Sequence, residues 1–224
     1  MRRILAALIL ALPAALPVGR ADEVGDRDVR RLDAAGCYAQ LDRMGVRYAR
    51  PATEGVEIPV RLRGRIGGIA IEFVGRRRSN EVMDCRVALA IARFAVPLRE
   101  AGLTRIRHLS AYRGGARHRR TGRPSGHSTG LAVDLRYFDF GADSGSEDED
   151  VFDVLEHWQP RVRGAEPCTL VDGEPERSRL LRSAMCDAVE RGLFQVVVTP
   201  HHDDHHANHL HVEVVPSVGW TWVR

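Results

Sequence analysis

Apolar residues recur every three or four positions over 28–44, at Val29, Leu32, Ala35, Tyr38 and Leu41, and this period predicts a helix. From 56 to 63 the pattern alternates, turns through the glycines of 64–68, and alternates again over 69–74, as in a β-hairpin. Pro59 cannot donate to a ladder, which puts the first of these strands at a sheet edge. The helical period returns between Asn80 and Gly102, where Val87, Ala88, Ile91, Phe94, Ala95 and Leu98 form a wide apolar face. Asn80 is the expected N-cap of this core helix, and Pro97 is expected to kink or end it. Short strands are predicted over 104–112, 130–137, 194–198 and 209–215, and a further helix over 176–192. Tight connections without recurring crossover helices predict an α+β fold, a small antiparallel sheet packed against helices. The run from Asp143 to Asp150 reads as a solvated acidic loop.

The first 21 residues change the picture of where the chain works. Arg2 and Arg3 precede an apolar stretch over 4–16, and Gly19-Arg-Ala21 offers small residues for cleavage, so 1–21 is expected to be a signal peptide. The stretch is too short and too broken by Pro13 and Pro17 to span a bilayer. An exported mature chain, periplasmic or extracellular and without a transmembrane segment, is the expectation. All 33 basic residues are arginine, against 30 acidic ones. The clusters at 61–65, 76–78 and 117–120 are short and far apart, which argues against nucleic acid as a partner. Cys37, Cys85, Cys168 and Cys186 are an even set, and disulfides are the default in an exported chain. Of three possible pairings we prefer Cys37–Cys85 with Cys168–Cys186, each closing a moderate loop within one half of the chain.

Two segments carry the candidate chemistry. The first is Ser125-Gly-His127-Ser-Thr-Gly130-Leu-Ala-Val-Asp134, and the second is His206-Ala-Asn-His209-Leu-His211. On a strand, His209 and His211 point one way while Leu210 faces the core. Asp134 interrupts an apolar strand, and burying its charge unpaired would cost several kcal/mol, roughly, so a cation is expected beside it. His127, Asp134 and His211 would leave a fourth tetrahedral position open, the arrangement of catalytic rather than structural zinc. His201, His202 and His205 read as members of a solvated polar loop, and Trp158, Trp220 and Trp222 as packing residues.

Ser-x-His-x-x-Gly-x-Ala-x-Asp followed by His-x-His resembles the zinc peptidases grouped with lysostaphin, D-Ala-D-Ala metallopeptidases and the hedgehog domain. Within that group the chain is most similar to bacterial proteins with an extensin-like C-terminal domain, through Cys85 before Ala88, Ser110-Ala-Tyr112-Arg113, residues 125–134, and Pro200 before His206-x-x-His209-x-His211. The family pattern has a Cys between the Tyr and the Arg, and here Tyr112 meets Arg113 directly. The resemblance implies a zinc domain over 80–224 on one face of the sheet, with 22–79 as an N-terminal extension packed on it. It implies Zn(2+) on His127, Asp134 and His211, with His209 and Arg113 catalytic. His206, Tyr112 and Ser125 would contact substrate or support the ligands. The implied activity is a metallopeptidase acting on peptidoglycan cross-link peptides; the other reading is a non-catalytic, metal-stabilised envelope protein that binds cell-wall material.

Overall fold

The computed structural model describes residues 24–119, 121–141, 150–169 and 172–224. The expected signal peptide and nearly all of the acidic loop lie outside them. After a 3-10 turn at Asp26–Arg31 come α1 (Ala34–Arg43), β1 (Tyr48–Ala49), β2 (Pro59–Leu62), β3 (Arg65–Ile66), β4 (Ile69–Phe73) and β5 (Met83–Asp84). Next are α2 (Cys85–Glu100), β6 (Leu103–Ser110), β7 (Ala132–Phe140), β8 (Asp150–Asp153), α3 (Val154–His157) and α4 (Glu176–Glu190). β9 (Val196–Val198), β10 (Leu210–Glu213) and β11 (Trp222–Val223) follow.

The fold is α+β, but the sheet is neither small nor purely antiparallel. Of its eight strands, seven run in the order β11-β9-β10-β7-β6-β4-β3, and the eighth, β8, pairs off that path with residues 137–140 of β7. β4 pairs with β6 in parallel, and β11 with β9 likewise. The reason lies in α2, which carries the chain from β4 back to the start of β6, as a parallel pair requires.

The expected hairpin divides between two sheets. β2 sits in the middle of a separate three-stranded sheet, β1-β2-β5. The turn at Gly67 and Gly68, both with positive φ, joins β3 to β4 instead. Pro59 is therefore not on an edge strand. It is the first residue of β2, and the pairing with β1 involves only Arg61 and Leu62.

α2 is buried almost all round, from Cys85 to Ala92 and again at Phe94, Ala95 and Leu98. Its N-cap is Asp84 rather than Asn80, and it runs on past Pro97 to Glu100. Phe94 meets Phe138 and Phe194 edge-on, at 6.4 and 6.0 Å between ring centres, so the helix packs on both β7 and the β9 side. The structure forms the disulfides Cys37–Cys85 and Cys168–Cys186. The first is fully buried and bolts α1 to the start of α2.

Candidate metal centre

Strand alternation sorts the side chains of β7 and β10. Val133, Leu135, Leu210 and Val212 belong to the core, so Asp134, His211 and Glu213 face the other way. The register sets His211 directly opposite Asp134. His127 comes from the 3-10 turn Gly126–Thr129, which Ser125 caps and Gly130 ends in the left-handed region (φ 68°). The Gly130 carbonyl accepts the Asp84 N–H at 2.9 Å, fastening this turn to the start of α2.

His127 Nε2, Asp134 Oδ1 and His211 Nδ1 lie 3.0, 3.1 and 2.9 Å apart in pairs. A four-coordinate ion with bonds of about 2.0 Å, as zinc makes, has ligand–ligand edges of about 3.3 Å. The triangle therefore approximates one face of such a tetrahedron. What stands behind each ring fixes its tautomer. His127 Nδ1–H donates to the Ala111 carbonyl at 2.6 Å, and His211 Nε2–H to Glu213 Oε1 at 2.8 Å. Two imidazole lone pairs and a carboxylate oxygen thus converge, an arrangement that repels itself unless a cation or a proton lies within it. These residues could hold a metal ion.

Without metal, a proton serves. Burial opposes charge on His211, but its hydrogen bonds to Asp134 and Glu213 outweigh that and raise the ring to about 9. Burial pushes Asp134 up, yet His127 and His211 hold it well below the usual carboxylate range. The Ser110 hydroxyl donates to the second oxygen of Asp134 at 2.9 Å.

His209 and Arg113 stand at the rim. His209 Nδ1–H donates to Asn208 Oδ1 at 2.8 Å, which turns the lone pair of Nε2 toward Asp134 Oδ1, 3.4 Å away. Burial draws this ring down to about 4, only partly opposed by the charge of Asp134, so it is neutral near pH 7. Arg113 Nη2 lies 3.7 Å from Asp134 Oδ2, and its backbone N–H donates to the His127 carbonyl at 2.8 Å. His206 packs 5.3 Å from His209 and 6.0 Å from His211, ring centre to ring centre, and its Nδ1–H donates to Asp203.

Tyr112 and Ser125 have supporting positions. The Tyr112 hydroxyl donates to the Glu54 carbonyl, tying the 110–113 segment down, and Ser125 Oγ accepts the His127 N–H.

A family model described as "Extensin-like protein C-terminus" matches residues 35–224. The chain belongs to this family. No curated protein and no solved structure matches it. The match begins within the segment set apart above as an extension, and in this extensin-like chain that segment supplies β3 and β4 to the large sheet.

The sequence reading passed over Glu213, although the alternation His209-x-His211-x-Glu213 places it on the ligand face. Gly126 confirms how closely Glu213 is seated: a Cβ there would stand 2.8 Å from its carboxyl carbon. His201 is not solvated but fully buried, facing the Val162 N–H, the Arg182 guanidinium and the Trp158 indole. Trp158 is a core residue as expected, whereas Trp220 and Trp222 are exposed.

Proposed function

We propose that this extensin-like chain is an exported zinc-dependent hydrolase, a metallopeptidase that cuts the cross-linking peptides of peptidoglycan. The observation that carries the reading is the triangle of lone pairs on His127, Asp134 and His211, with a neutral imidazole and a guanidinium at its rim. Zinc held there would supply a Lewis acid toward water and a substrate carbonyl. The chain's own residues do the rest. Glu213 and the Ala111 carbonyl keep His211 and His127 in the tautomers that ligate. His209 accepts the proton of the attacking water at Nε2 and returns it to the leaving amine. Arg113 stabilises the oxygen that gains negative charge. The wall substrate follows from the resemblance to wall-cutting peptidases and from the N-terminal export pattern. The two disulfides suit an oxidising compartment.

The test is zinc analysis of the purified mature chain, followed by assay of new amino termini released from purified peptidoglycan. Stoichiometric zinc and peptide release are expected. His209→Ala should keep the zinc and lose at least ~100-fold in rate. Zinc without cleavage of any muropeptide would instead support the metal-stabilised wall-binding protein. If His127→Ala or Asp134→Ala bound zinc as tightly as the parent chain, the ligand set would be wrong.

A further inference from the structure

The segment 113–124 holds five arginines and one histidine and no acidic residue, a formal charge of +5 where the whole chain carries +3. It forms an arch. His118 N–H donates to the Arg123 carbonyl at 2.9 Å, Gly122 N–H to the His118 carbonyl at 2.8 Å, and Arg117 bridges to Pro124. Both feet of the arch stand on the metal centre. At one, Arg113 N–H donates to the His127 carbonyl; at the other, Ser125 caps the turn that carries His127. Its crest reaches across to the facing loop, where Arg119 Nη1 comes within 3.4 Å of His205 Nε2.

Arg113 faces Asp134 at 3.7 Å, but the other described arginines of the arch keep their charge free of any carboxylate. Arg117 donates to the Gly122 carbonyl, and among the described residues Arg117, Arg119 and Arg123 have no carboxylate partner. The acids of the facing loop are engaged elsewhere: Asp203 by His205 and His206, Asp204 by Arg161 and Arg163. Concentrated positive charge at the mouth of a site attracts anions and rejects cations, and guanidinium is suited to the planar carboxylate.

We infer that the arch 113–124 is a specificity element that selects peptides bearing several free carboxylates, its arginines Arg117, Arg119 and Arg123 binding the acid groups that flank the bond at the metal centre. This inference rests on the hydrolase reading for the word substrate, but its test is by binding as well as turnover. The probes are a synthetic pentapeptide with three free carboxylates and its fully amidated counterpart, presented to the zinc-loaded mature chain and to the triple variant Arg117→Gln, Arg119→Gln, Arg123→Gln.

The parent chain should bind the acidic peptide at least ~10-fold more tightly than the amidated one, with the preference fading as salt is raised. The variant should lose that preference while keeping its zinc and its affinity for the amidated peptide. Where turnover is measurable, KM for the acidic peptide should rise with kcat little changed. Equal losses on both peptides would reduce the arch to a structural part, and an unchanged preference would remove it from recognition. Tighter binding of a polyphosphate of equal charge would overturn the assignment to carboxylates. A chain that binds the acidic peptide with this preference yet releases no amino termini from purified peptidoglycan or any muropeptide would sink the hydrolase reading and leave the arch standing.

Discussion

Glu213 shows how much a group of candidate metal ligands depends on one residue outside the group. Its carboxylate accepts from His211 Nε2–H and leaves Nδ1 bare on the ligand side. Glu213→Ala should weaken zinc binding by about 10–100-fold, read by competition with a chromophoric chelator, and Glu213→Gln should restore part of it. Unchanged affinity in the alanine variant would mean that the ring is held by packing alone. His211 gives a second prediction, in pH. In the metal-free chain its folded value of about 9 lies above the ordinary 6.5, so its stabilising contribution is complete below pH 6.5 and disappears as pH rises through 9. Urea midpoints of the metal-free chain should fall between pH 6.5 and 9.5, and saturating zinc, which displaces that proton, should flatten the trend. The sequence made the candidate ligands legible because alternation on a strand is local, and His209-x-His211 can be read without knowing any neighbour. His201 was misread for the opposite reason. Its burial depends on Arg182 and Trp158, which arrive from distant elements, and nothing in a run of histidines and aspartates announces them.

At the scale of elements, α2 organises the site from behind. Asp84 is wholly buried and does several things at once: it caps the helix, accepts the Ile58 N–H at 3.2 Å, and pairs with Arg86 at 2.8 and 2.9 Å. Asp84→Ala would strand the buried guanidinium of Arg86 and should cost about 3–5 kcal/mol in urea unfolding. A loss below about 1 kcal/mol would show that Glu57, 2.8 Å from the same guanidinium, compensates. The existence and type of most elements could be read from hydrophobic period, and their ends fell within a few positions. The partners of the strands could not. β4 lies beside β6 because α2 spans the gap between them, and that pairing is decided by packing across the sheet rather than by any local pattern.

For the whole molecule, two disulfides of unlike setting matter. Cys37–Cys85 is buried and closes 48 residues, whereas Cys168–Cys186 closes 18 and leaves Cys168 exposed. Loop closure alone assigns the first about 4 kcal/mol and the second about 3. Mild reductant should therefore open Cys168–Cys186 first, seen by mass spectrometry of alkylated peptides, while Cys37–Cys85 survives until the fold is loosened. Protection of both bridges alike would contradict this ordering. Cys85 also follows Asp84, whose N–H holds the Gly130 carbonyl and with it the turn bearing His127. A consequence of that short chain of bonds is that opening Cys37–Cys85 should loosen the turn bearing His127 and weaken the hold of His127, Asp134 and His211 on a metal ion. A copy kept among reduced thiols should therefore take up metal less readily than the oxidised one.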